Sequence, residues 1–395
     1  MLLQEFPSEV LIHILASAGS LPDLRALAST SQRIYSLFQS EKGSLIYQTL
    51  ANALGPVIDD ALGLSHLQLL DPFSPFFFND QLWDALARYQ AYLAGRDHSA
   101  PRRLSLDFVM RLVRSYHIMS DLSRVYIACT FKLLDHEVRA SCCPASLPML
   151  LAPASGSEWL RVLRAHYRLQ MALPIWLACR FGGGGRTLDD MRNANVSLFG
   201  QWKPWEIQQI FCVGTLYHRF RHRLHRIGDQ EMKQEGRSDR VSHSLEAWRE
   251  FVRSLRAADE AGWQAVLDEA SRFRYGRPDY AGTEEENNLS AHQVRITIWG
   301  AHKTCTGRHE FPISLHFKRD HVTAVPSAWV DAFDGYYGYN FWGVVPSIRR
   351  EGQATHGLWS LLGFVMWDAP RIGALKTSTL LWHGPRGWAR SGVST

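Results

Sequence analysis

Apolar residues recur at helical intervals along most of the chain and change to strict alternation only after Asn288. The first such set is Val10, Leu11, Ile14 and Leu15, which share one face of a short helix. Pro7 suits its opening turn, where a missing N–H would be unpaired anyway, and Glu9 places a negative charge at the positive end of the helix dipole; Gly19 supplies a stop. Ser20-Leu21-Pro22-Asp23 has the capping spacing that opens a second helix, carried on by Leu24, Leu27 and Ala28. Ile34, Tyr35 and Phe38 mark a third. Three helices within about 40 residues bury too little surface to stand alone, so a partner, the following chain or both must cover them.

Further along, Leu106, Val109, Leu112, Val113 and Tyr116 form one stripe and Leu122, Val125, Tyr126 and Cys129 another, which predicts paired helices joined by a tight turn at Ser120-Asp121. Leu245, Trp248, Phe251, Val252 and Leu255 make a third stripe, followed by Trp263, Val266, Leu267 and Ala270. Loops are predicted at residues 71–75, 95–103, 142–156, 181–186 and 228–242. After Asn288, Val294, Ile296 and Ile298 alternate with polar residues, as do Ile313, Leu315 and Phe317, which predicts two strands. Residues 357–367 then read as a helix that Asp368 closes. No repeat with a period of roughly 20 to 50 residues is visible. The expected fold is mainly α: a three-helix module at residues 1–50, a predominantly helical region at 51–285, and a mixed α/β region at 286–395, packed with the preceding region and holding a small antiparallel β element.

Composition adds limits. At 395 residues with 46% apolar and 21% charged side chains, the chain is long enough for two or three folded units with real cores. A net charge of +5 is small for that length and does not mark a nucleic-acid binder. Six cysteines at irregular spacings read as reduced and mostly buried rather than as a disulfide framework. Residues 1–7 lack the features of a secretory signal, and the longest apolar runs, 172–179 and 357–367, fall short of the roughly 18 to 20 residues that span a bilayer. An intracellular protein, cytoplasmic or nuclear, is expected.

Candidate chemistry is sparse. The tetraglycine at 182–185 leads into Arg186-Thr187 without the lysine of a phosphate loop and reads as a flexible loop. His302, Cys305 and His309 are zinc-ligand types, but no second cluster completes four ligands, so a turn between strands is the better reading. Tyr217, Phe220 and Leu224 set an amphipathic period in the most basic stretch, residues 217–226, whose charged face is either solvated or turned to an acidic partner. No nucleophile elbow and no His-Glu-x-x-His helix occurs. The adjacent carboxylates Asp59-Asp60 and Asp189-Asp190 diverge on a helix and read as surface charge. Of 14 tryptophans, most are expected to fill core, with residues 329–342 the first place to look for an aromatic recognition surface.

The ordered run Phe6-Pro7-x-Glu9-Val10-Leu11-x-x-Ile14-Leu15, then Leu21-Pro22-Asp23-Leu24-x-x-Leu27-Ala28-x-Thr30-Ser31-x-x-Ile34-Tyr35, resembles the fungal F-box pattern over about a tenth of the chain. Phe6 replaces the usual leucine, and Ser31 stands where many relatives have cysteine. In that family the module docks on a Skp-type adaptor protein; carried over, the resemblance implies partner contacts by Phe6, Pro7, Val10, Leu11, Ile14, Leu15, Leu21 and Leu24. Residues 361–368 are similar to the terminal region of other fungal F-box-like proteins. The implied function is an adaptor that recruits a protein target to a cullin-RING ubiquitin ligase, with no catalytic residue, cofactor or metal of its own. The alternative is a scaffold whose degenerate F-box packs internally, and the discriminator is whether residues beyond 50 cover Val10, Leu11 and Leu15.

Overall fold

The computed structural model describes residues 6–70, 79–95, 104–140, 147–181, 188–199, 201–203, 205, 206, 209, 210, 212–214 and 366–377. The regular structure among them is helical. The two expected strands lie outside the described residues, as do the tetraglycine, the basic stretch, the His302-Cys305-His309 set, the tryptophan-rich region at 329–342 and the stripes after residue 240. The chain divides into two compact units, residues 1–119 with 177–186 and residues 120–176 with 187–395.

The first unit begins with α1 (Ser8–Ala16), α2 (Leu21–Ala28), α3 (Gln32–Ser40) and, beyond the three helices expected, α4 (Lys42–Leu54). Each start has a local cause. Pro7 precedes α1 in extended conformation and its carbonyl accepts the Leu11 N–H at 3.1 Å. The Ser20 hydroxyl accepts the Asp23 N–H at 3.2 Å and donates to its carboxylate at 2.6 Å; the Ser31 hydroxyl caps α3 by accepting the Ile34 N–H at 3.2 Å. α1 packs against α2, α3 and α4, and α4 packs back on α2 and α3. The Asn52 amide on α4 donates to the Ala16 and Ala18 carbonyls at 2.8 and 3.1 Å, tying the end of α1 to α4. The module is therefore a four-helix unit reaching Leu54, where Gly55 ends α4 at a positive φ of 51° that favours glycine.

A 3-10 turn, Gly55–Val57, leads into α5 (Ile58–Leu67), which packs closely on α6 (Asp80–Leu93). Gly63 makes the approach possible, because a Cβ there would lie 2.4 Å from the Tyr89 ring. The Tyr89 hydroxyl donates to Asp60 at 2.5 Å, and both residues are fully buried. Asp60 is thus a core hydrogen-bond acceptor, which corrects the expectation of surface charge: on an otherwise apolar helix face, a tyrosine from the neighbouring helix compensates its burial.

α7 (Leu106–Ala140) is a single helix of 35 residues, where the sequence pattern predicts two joined at Ser120-Asp121. The apolar stripe Val109, Leu112, Met119, Leu122, Tyr126, Cys129 steps through that point without a change of phase, and neither glycine nor proline interrupts it. Ser120 is buried within the helix. The first turns of α7 belong to the first unit and the rest to the second.

The second unit continues with α8 (Leu147–Leu150), α9 (Gly156–Phe181) up to Trp176, α10 (Leu188–Phe199) and α11 (Ala369–Thr377). Residues 161–168 of α9 are buried without a break, so both its apolar and its charged residues face protein. Asp368 precedes and opens α11, its carbonyl accepting the Ile372 N–H at 3.1 Å; the helix expected at residues 357–367 lies mostly outside the described residues.

Candidate functional site

The eight residues implied to meet a partner fall into two groups. Leu11, Leu15 and Leu24 are 1%, 1% and 2% exposed and, with Ala28 and Ile34, form the interior of the four-helix module. Phe6, Ile14 and Leu21 are half-buried, Pro7 is exposed and Val10 is 38% exposed. The helical period explains the division: Leu11 and Leu15 lie one turn apart on the inward stripe, and Val10 and Ile14 one turn apart on its flank. Tyr35 on α3 is 50% exposed, and its ring lies 6.5 Å from that of Phe38. The surface thus offers apolar side chains at Pro7, Val10 and Tyr35, while the three leucines hold the helices in place. Arg33 on α3 reaches the Ser8 hydroxyl on α1 at 3.5 Å.

Among the described residues, α1 packs chiefly on α2, α3 and α4. Only the last residues of α4, among them Asn52, lie beyond position 50, and Asn52 binds the C-terminal end of α1 rather than its Val10 end.

Other chemistry-bearing groups are held by packing. His166 on α9 is fully enclosed, with Nδ1 2.8 Å from the Val162 carbonyl and 3.3 Å from the Ser123 hydroxyl, and its ring meets Tyr126 edge-on. Burial lowers its pKa to about 4, against a smaller opposing effect of the Val162 hydrogen bond, so the ring is neutral. A serine and a histidine this close still make no nucleophile pair, because Nδ1 is engaged by a carbonyl of its own helix and neither residue meets solvent.

Also on α9, Arg164 and Arg168 meet Glu206 at 3.3 and 3.0 Å, all three buried. Burial works to raise the Glu206 pKa; the two guanidiniums and the Lys203 N–H outweigh it and hold the carboxylate below its ordinary range. The sequence carried a signal for this seam that periodic reading of apolar residues missed: Arg164 and Arg168 stand one turn apart on α9. Cys129 and Cys212 are buried thiols outside any disulfide, and burial pushes Cys129 up to about 12. Among the described residues, no group of three or more His, Cys, Asp and Glu is placed to hold a metal ion, and no helix is long and apolar enough to cross a membrane. No family model, no curated protein and no solved structure matches the chain.

Proposed function

We propose that the N-terminal module is an F-box-type adaptor surface that docks on a Skp-type protein, with the remainder of the chain presenting a target for ubiquitin transfer. The observation that supports it is the division within one ordered motif. Leu11, Leu15 and Leu24 supply the interior, and Pro7 and Val10, from the same motif, remain outside on the finished module. Apolar side chains left at the surface of so small a unit suit burial against a second protein. The adaptor makes no bond itself, and transfer chemistry belongs to the assembly it joins.

The scaffold reading draws on a different observation: α1 is engaged by α2, α3 and α4, so the module is closed before any partner arrives. Co-expression of the chain with a fungal Skp-type adaptor, followed by capture on the tagged adaptor, separates the two. Capture of wild type with loss in Val10→Asp is the adaptor result. Val10 is the third residue of α1, where a negative charge suits the helix dipole, so the variant keeps its fold. Placing an unpaired carboxylate in an apolar interface weakens association by about 100-fold or more. Failure of the wild type to be captured, or equal capture of both chains, favours the scaffold.

A further inference from the structure

Residues 366–371 meet Phe131 and residues 150–161 across more than 200 positions of sequence through a dense set of directed contacts. The Arg371 guanidinium grips Glu158 with two parallel hydrogen bonds, Nε to Oε1 and Nη2 to Oε2, both at 3.0 Å. Its remaining N–H groups donate to the carbonyls of Leu150, Ala152 and Pro153, the last two at 3.0 and 3.1 Å. Its flat face lies 4.6 Å from the centre of the Phe131 ring and 5.5 Å from that of Trp367, which is itself fully buried. Asp368 accepts from the Ser155 and Ser157 hydroxyls at 2.5 and 2.6 Å and from Arg161 at 2.6 Å, and its N–H donates to Glu158 at 2.9 Å. Arg161 also donates to the Met366 carbonyl at 3.1 Å.

One side of this set is built locally. Ser155 and Glu158 form a capping box at the start of α9: the Ser155 hydroxyl accepts the Glu158 N–H at 3.2 Å and Glu158 Oε2 accepts the Ser155 N–H at 2.9 Å. Glu158 is therefore positioned by its own helix whether or not Arg371 is present. The other side is equally local, since Trp367, Asp368 and Arg371 lie within five consecutive residues, the last two flanking the first turn of α11.

We propose that residues 366–377 are a separable peptide ligand of this chain, and that α8, the turn 151–155, the first turn of α9 and Phe131 form a receptor for a Trp-Asp-x-x-Arg element. The occupant is the chain's own segment, held at high effective concentration by its covalent tether. Recognition couples an aromatic anchor to two charges of opposite sign, each met by built partners, which is the chemistry of a peptide-reading site rather than of an undirected apolar contact.

The test uses the full-length chain and a fluorescent peptide spanning residues 363–377. In the full-length Asp368→Ala, Arg371→Ala variant the segment is released, and saturable peptide binding is expected by fluorescence polarisation with helicity retained. Wild type, whose own segment competes, binds the peptide at least about tenfold more weakly. A peptide with Arg371→Lys loses the two-pronged grip and binds roughly 10- to 100-fold more weakly to the variant. A folded variant that takes up no peptide overturns the proposal. So does a variant that loses its helicity and is not restored by the peptide, since the segment is then an obligatory part of the core. Light scattering of wild type should give a monomer; a dimer dissolved by the peptide would assign the site to a second copy and overturn occupancy by the chain's own segment.

Discussion

Acidification through the range above pH 5 should weaken the second unit through His166. In the fold its pKa is about 4 because burial excludes the charged ring, and in the unfolded chain it returns to 6.5. Between those values the unfolded chain binds the extra proton, so stability is fully present above about 6.5 and is lost as pH falls through the window. The whole gap is worth about 3 kcal/mol, of which about 2 kcal/mol is gone by about pH 5. Asp368 and Glu206 are held below their ordinary ranges, so their stabilising ionisation is lost only at more acid pH. His66, whose pKa is also lowered, first by burial and then by Arg88 and Arg111, adds in the same direction but stays in place in the variant described next. His166→Asn keeps a side-chain N–H for the Val162 carbonyl and cannot titrate. Urea unfolding of wild type and His166→Asn at a series of pH values measures the difference directly. Wild type should lose about 2 kcal/mol more than the variant between about pH 7.5 and pH 5. Parallel pH profiles would refute the assignment of a neutral, enclosed imidazole.

Gly63→Ala sets a methyl against the buried Tyr89 ring and should cost about 1 to 3 kcal/mol, seen as a lower midpoint in chemical denaturation. Glu206→Gln removes the buried carboxylate charge that meets both Arg164 and Arg168, and should destabilise by about 3 kcal/mol, read as a fall in melting temperature. Cys129, with its thiol pushed up to about 12 and its side chain enclosed, should resist alkylation in the folded chain near neutral pH and react once urea is added, as peptide mass spectrometry would record.

The N-terminal helices were legible because their starts are written locally. Pro7 and Ser20 each stand where the chain needs a turn or an acceptor, and the structure uses Ser20, and likewise Ser31 at α3, as caps. α4 was missed although Leu45, Ile46, Leu50 and Leu54 recur at helical spacing, because Glu41 alone separates it from α3 and no side-chain cap marks its start. Ser120-Asp121 misled because two polar residues resemble a turn, yet helix phase continues across them and burial favours one long helix. Asp60 and the α9 arginines were hidden for a related reason: a charged side chain reads as exposed unless its partner is known, and here the partners Tyr89, Glu206 and Asp368 lie on other elements. At the candidate site, the motif supplied the residues but not their division into interior and surface, which depends on how four helices close around Leu11 and Leu15.

The central claim is that the finished module keeps an apolar docking surface at its Val10 end. Calorimetric titration of the purified chain with a purified fungal Skp-type adaptor tests it most directly, with Val10→Asp alongside as the surface control. The account predicts a saturable one-to-one isotherm for wild type and a roughly 100-fold weaker one for Val10→Asp at unchanged helicity. An absence of heat and of complex with the wild type, or an isotherm that Val10→Asp leaves unaltered, would contradict it.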